Sequence, residues 1–188
     1  ATRTKIRQSV MHGRMFGQDT SDFAAIEAAI ASLGARAAHD LRREGLLART
    51  ASLYLSTNRH LPGFIRQQQA IRLATPSADT GLINARLVEL ASRLYQPRHR
   101  YHRANVLLYD LVGEQRFQVD LLGNVDVQQH QSSQARNRAL DALNGRFGPR
   151  TVRYAAEDLS QAWQPKRGSR SPRYTTSWEE LPVARIMR

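Results

Sequence analysis

The sequence predicts an α+β fold: a four-stranded antiparallel-type sheet with two helices on one face, in the order βαββαβ, followed by a small C-terminal α/β extension. Two observations carry this. Two segments place apolar residues at intervals of three and four, the mark of a helix with one buried stripe. Between and around them lie segments that alternate with period two, separated by Gly, Pro and Asn. A chain of 188 residues, 41% of them hydrophobic, suits one ordinary domain with an appendage.

Lys5 to Phe16 reads as the first strand, and Gly17 to Thr20 as the turn that follows it. Phe23, Ile26, Ile30, Leu33, Ala37 and Leu41 then form a helical stripe, with Ser21 or Asp22 to cap its start and Gly45 its end. From Ala48 to Thr57, Ala51, Leu53 and Leu55 alternate with polar residues, as in a half-buried strand. Asn58 to Gly63 is a loop short enough to join antiparallel strands, and Phe64 to Leu73 is the next extended segment. Asp79 caps a second helix with the stripe Ile83, Leu87, Leu90 and Leu94, which Pro97 stops. Tyr101 to Leu111 completes the sheet, with Ala104, Val106 and Leu108 on one face. Further on, Gln134 onward reads as a helix through Ala139, Leu140 and Leu143, then a turn at Gly145 to Gly148 and a short strand from Thr151 to Ala155. The organisation expected is 1–112 for the sheet domain, 113–133 for a linker and 134–188 for the extension.

Both helices on one face leave the other face open. Alternation directs Arg66, Gln68 and Arg72 of one strand and Arg103, Asn105 and Tyr109 of another toward that face. Lys and Arg number 28 against 16 acidic residues, a formal charge of +12 that favours a polyanionic partner. Arginine makes up nearly all of the excess, and its forked guanidinium suits phosphate oxygens better than a lysine ammonium does. With no cysteine, disulfides and thiolate metal sites are excluded. No apolar run approaches the ~20 residues of a membrane-spanning helix, and Ala1 to Arg7 does not read as a secretory signal.

The last stretch is unlike the rest. Both tryptophans, Trp163 and Trp178, stand among Pro165, Pro172, Lys166, Arg167, Arg170, Arg173 and Tyr174, with no amphipathic period, so the segment is expected to meet another surface. This tail resembles the C-terminus of UmuC-type error-prone polymerases of the Y family. The resemblance continues through Arg14, Met15, Phe16 and Gly17; Ala35 to Ala38; Thr75 and Pro76; Arg100 to Ala104; and Arg146, Phe147 and Gly148, all in the same order. It implies a little finger domain plus the UmuC-type extension. The function implied is that of the DNA-binding, protein-recruiting end of a translesion polymerase acting in SOS damage tolerance, in the bacterial cytoplasm at the nucleoid.

On that reading Arg14, Thr57, Asn58, Arg66, Gln68, Arg72, Arg103 and Asn105 are expected to contact primer-template DNA, mostly at phosphates. Where the family carries a sliding-clamp peptide, this chain has Gln118, Val119, Asp120, Leu121 and Leu122. Gln118 would bond at a pocket rim while Leu121 and Leu122 bury apolar surface. Val119 and Leu122 depart from the commoner Leu and Phe, which should weaken binding, and the alternation of Phe117, Val119 and Leu121 also fits a short edge strand. The resemblance further implies a UmuD-like dimer as partner of the extension, and RecA as another partner of the protein. Trp163, Lys166, Arg167, Arg170, Arg173 and Tyr174 are the candidates for partner contact or for gripping single-stranded DNA.

Phosphoryl transfer by such an enzyme needs carboxylates converging on metal ions, and the family's Ser-x-Asp-Glu palm pattern is absent here. Glu157 with Asp158, Glu179 with Glu180, and Asp110 read as caps, surface charges or salt-bridge partners. No catalytic residue and no cofactor are therefore expected in this chain, Mg²⁺ belonging to the palm domain that precedes a little finger. His99 and His102 lack a third ligand nearby and read as basic, DNA-facing or exposed residues. An alternative of another class is a stand-alone RNA-binding module of RRM plan, stacking bases on Tyr54, Tyr101 and Tyr109, although no RNP1-like run occurs. Because the chain starts at Ala1 and opens almost at once on a strand, it is expected to be a piece of a longer polymerase.

Overall fold

The computed structural model describes residues 7–116 and 127–157. The candidate clamp peptide, Gln118 to Leu122, and the tail candidates, Trp163 to Tyr174, lie outside the described residues. The elements are β1 (Ser9–Thr20), α1 (Phe23–Arg43), β2 (Leu46–Thr57), β3 (Arg66–Ser77), α2 (Thr80–Leu94), β4 (Tyr101–Gly113) and α3 (Val127–Phe147), with 3₁₀ turns at Glu114–Arg116 and Ala155–Glu157. The strands form one sheet in the order β1-β4-β2-β3, each neighbour antiparallel. Two split βαβ units thus interleave: β4 lies between β1 and β2, and β2 lies between β3 and β4.

Asp22 starts α1 by accepting the Ala24 backbone N–H at 3.0 Å, and Gly45 ends it at φ +63°, where a side chain would be strained. Asp79 starts α2 by accepting from the Leu82 N–H at 2.6 Å. The stripes Ile26, Ile30, Leu33, Ala37 and Leu41 of α1 and Ile83, Leu87, Leu90 and Leu94 of α2 are buried against Ala51, Leu53 and Leu55 of β2 and Ala104, Val106 and Leu108 of β4. Each fully buried Leu or Ile contributes roughly 1.5–3 kcal/mol, so this single apolar layer holds both helices on one side of the sheet. The helices meet closely at Gly34, where a β-carbon would stand 2.2 Å from Asn84 Oδ1, and Asn84 Nδ2 donates to the Ala31 carbonyl at 3.1 Å.

Four expectations are corrected. Gly17 to Thr20 is not a turn but part of β1, and the register shifts between Met15 and Thr20, so Gly17 marks an irregularity inside a strand. The third strand runs on through Thr75 and Pro76 to Ser77; as a sheet edge it accommodates proline at a second register shift. Thr151 to Ala155 forms no strand, giving instead bends and a 3₁₀ turn. The third helix begins at Val127, inside the segment 113–133 expected to be linker.

That helix docks through polar residues. Ala139 and Leu143 of the expected apolar stripe are exposed, whereas Asn137 is buried and Asp141 half-buried. Asn137 Nδ2 donates to Asp79 Oδ2 at 2.8 Å, and Asp141 takes a forked bond from Arg42. An i, i+4 pair of polar groups that satisfies charges on the partner helices replaces the apolar seam.

Candidate nucleic-acid interface

Strand registry places four rows of side chains on the sheet face away from the helices. They are Ser9, Tyr109, Thr50 and Arg72; Met11, Leu107, Ser52 and Ala70; Gly13, Asn105, Tyr54 and Gln68; and Met15, Arg103, Ser56 and Arg66. No carboxylate stands in these rows. Arg66, Arg72 and Arg103 are exposed and make no ion pair among the described residues. Unneutralised guanidinium groups on a surface free of acid give a positive field over the whole face.

Several of these side chains are held in place. The Arg66 guanidinium lies 5.4 Å from the centre of the Tyr54 ring, a cation–π contact. Gln68 Nε2 donates to Ser52 Oγ at 3.2 Å, and that hydroxyl donates to the Gln69 carbonyl at 3.0 Å. Arg103 Nε donates to Asn105 Oδ1 at 3.0 Å. The Asn105 carboxamide occupies the space over Gly13, where a β-carbon would come within 2.0 Å of its oxygen. Glycine in the edge strand therefore lets Asn105 lie flat and orient Arg103.

The other residues expected on this face are elsewhere. Arg14 pairs with the fully buried Ala104, on the helix side of β1, two residues from His12, whose Nε2 bonds Asp40 of α1 at 2.8 Å. Arg14 faces Arg36 and Arg150: burial first, then the charges of Arg150 and Arg14, pulls the Arg36 guanidinium below its ordinary value. Thr57 and Asn58 sit at the β2–β3 hairpin. Thr57 Oγ1 accepts the Ile65 N–H at 2.9 Å, and Asn58 Oδ1 accepts the His60 N–H at 3.0 Å. Tyr101, considered for base stacking, is fully buried, its hydroxyl donating to the Leu94 carbonyl at 3.2 Å.

His99, His102 and Glu157, away from the face, have structural partners. His102 Nδ1 bonds Asp19 Oδ1 at 2.6 Å and His99 Nε2 bonds Gln96 at 2.9 Å, and the described residues contain no cluster of three metal-ligating side chains. His102 is half-buried, not the exposed or DNA-facing group expected. Glu157 is buried. Its carboxyl is raised above the usual range, by burial first, against the Tyr154 N–H and the charges of Arg150, Arg153 and Arg36. Among the described residues, no helix is long and apolar enough to cross a membrane.

Sequence reasoning passed over two residues of this face and one that docks α3 on the opposite side. Gly13 and Met11 carry no local signal beyond their alternation in β1, and Asp141 lies in a helix read for its apolar positions.

The chain is similar to several known proteins. Residues 7–121 match the impB/mucB/samB family C-terminal domain, and residues 137–184 match a domain of unknown function, DUF4113. Similar curated proteins include Protein UmuC of Salmonella typhimurium, 32% identical over 178 residues, covering 93% of this chain and 42% of that protein. Protein MucB of Escherichia coli is 27% identical over 184 residues, covering 96% and 42%. Among solved structures, the complex of the beta-clamp processivity factor and the little finger domain of PolIV is similar at 15% identity and a TM-score of 0.43, covering 62% of this chain and 99% of that one. The chain thus spans 42% of the length of these curated relatives. With the match over residues 7–121, the chain belongs to the impB/mucB/samB C-terminal domain family.

Proposed function

We propose that this chain is the DNA-gripping and protein-recruiting end of a UmuC-type translesion polymerase. The observation that carries the reading is the sheet face that the described residues leave uncovered, on which Arg66, Arg72 and Arg103 stand with no carboxylate partner among those residues. Guanidinium groups spread over a face made otherwise of uncharged residues suit the sugar-phosphate backbone of a duplex, and they position DNA without reading its sequence. Such binding fits a polymerase that must act wherever damage occurs. Arg103, set by Asn105 over Gly13, and Arg66, set on Tyr54, are the two anchors whose geometry is fixed before DNA arrives. Gln118 to Leu122 would tether the chain to a sliding clamp, and the segment from Trp163 onward would meet further components of the damage response, such as a UmuD-like dimer or RecA.

The test is anisotropy of labelled primer-template duplex with the full chain at several salt concentrations. The logarithm of affinity should fall linearly with the logarithm of salt, and replacing Arg66, Arg72 and Arg103 by Ala should reduce the slope by about 0.9 for each phosphate that is no longer neutralised. Affinity should differ little among sequences. A slope unchanged in the triple variant would overturn the assignment of this face. Separately, Ala at Gln118, Leu121 and Leu122 should abolish retention on a clamp column while leaving DNA binding intact.

A further inference from the structure

The loop 58–65 between β2 and β3 and the loop 95–100 between α2 and β4 stand as two walls of a cleft of about 700 Å³ at one end of the sheet. That volume lies within the ~300–1,000 Å³ range of small-ligand sites. The cleft lies at the end of the sheet next to the row Arg103, Ser56 and Arg66: Thr57, the following residue of β2, pairs with Tyr101 of β4 and lines the cleft. Of the four rows on the face, the one with Arg103 and Arg66 is nearest this end.

The chemistry of the cleft differs from that of the face. Arg98 and Arg100 line it, and neither pairs with a carboxylate among the described residues: Arg98 Nε donates to Gln96 Oε1 at 3.2 Å, and Arg100 Nη2 donates to the Asp19 carbonyl at 2.7 Å. The one carboxylate in the lining, Asp19, is bonded to His102. Two guanidinium groups thus stand against one carboxylate in the lining, and that carboxylate pairs with neither of them. Leu61, 56% exposed, and Pro62 add an apolar surface opposite these guanidinium groups. A duplex hides its base faces by stacking and offers such a surface nothing but phosphate. An unpaired nucleotide offers a phosphate for the arginines and a base face for an apolar side chain or a guanidinium plane.

We propose that this cleft holds an unpaired nucleotide of the strand that leaves the duplex lying on the sheet face. The inference rests on the DNA-gripping reading of that face, and it adds a site that distinguishes a duplex with a single-stranded extension from a blunt one.

The experiment compares two probes with the full chain: a blunt duplex, and the same duplex with a short single-stranded extension carrying 2-aminopurine as its first unpaired base. The extended probe should bind about five-fold more tightly, the low end of what one stacked base contributes, and its 2-aminopurine fluorescence should change on binding. The variant Leu61→Ser with Arg98→Ala should lose both the preference and the fluorescence change while binding the blunt duplex as before, which also shows that it is folded. Equal affinity for the two probes, or a preference that survives the variant, overturns the cleft assignment. Failure of the full chain to bind either probe overturns the reading of the face, and the cleft proposal with it.

Discussion

Asp141 of α3 grips Arg42 of α1 with both carboxylate oxygens: Arg42 Nε lies 2.7 Å from Oδ2 and Nη2 lies 2.8 Å from Oδ1. The remaining nitrogen, Nη1, donates to the Ala78 carbonyl at 2.8 Å and to Thr80 Oγ1 at 2.9 Å. One guanidinium therefore ties together α1, α3 and the start of α2. It joins α3 to the sheet domain on the side away from the candidate DNA face, so that this helix docks without covering that face.

Replacing Asp141 by Asn keeps the shape but removes the charge and one acceptor from the fork. The expected cost is about 2 kcal/mol, the scale of a hydrogen bond to a charged group, and it should fall on α3 first. Hydrogen exchange would show α3 amides losing protection while those of β2 and β4 keep theirs. Uniform loss of protection throughout the chain would contradict the local role.

Acid should release the same contact. Burial alone would raise the Asp141 carboxyl, but the bonds from Arg42 and His39, with their charges, outweigh it and hold the group below the usual carboxylate range. A depressed carboxyl stabilises the fold above its unfolded value of about 3.9, and the stabilisation disappears as pH falls through the lower folded value. Docking of α3 should therefore be insensitive to this group across neutral pH and weaken only below about pH 4. Amide chemical shifts of α3 followed from pH 7 to acid would test it, and changes tracking Asp141 above pH 5 would count against it.

At the crossing of α1 and α2, Gly34→Ala would drive a methyl to 2.2 Å from Asn84 Oδ1 and 2.7 Å from Leu87 Cδ1. Overpacking of this kind costs roughly 1–3 kcal/mol, against a gain in helix propensity of about 1 kcal/mol. A net loss is expected in urea unfolding. Adding Asn84→Ala should recover part of it, and a purely additive double mutant would show that the two positions do not collide.

Strand alternation separates two arginines of the same charge. Arg103→Ala should lower the salt slope of DNA binding by about 0.9, whereas Arg14→Ala should leave it nearly unchanged, because Arg14 projects toward α1. Gly13→Ala should act like a weaker Arg103→Ala by displacing Asn105, with the fold retained. Equal effects of Arg14→Ala and Arg103→Ala would refute the assignment of faces.

The expectations drawn from residue patterns succeeded where a signal is local. Asp22, Gly45 and Asp79 act within a few residues of themselves, and the stripes of α1 and α2 need only the helical repeat to be recognised. They failed where a long-range partner changes the outcome. Gly17 and Pro76 ordinarily break structure, yet each lies at a register shift in an edge strand, where the missing or distorted ladder bonds face outward. For α3, apolar spacing pointed to Ala139, Leu140 and Leu143, but the partners it meets are the half-buried Asp79 and Arg42, so Asn137 and Asp141 turn inward instead.

Residue order alone was enough to specify two helices, four strands and a basic chain suited to a polyanion, because periodicity, capping and net charge are properties of near neighbours and of the total. Which side of the sheet each arginine occupies depended on registry between strands far apart in the chain. A shift by one residue exchanges the faces, and so it took the assembled sheet to turn Arg14 toward the helices, bury Tyr101, and bring Gly13 beneath Asn105.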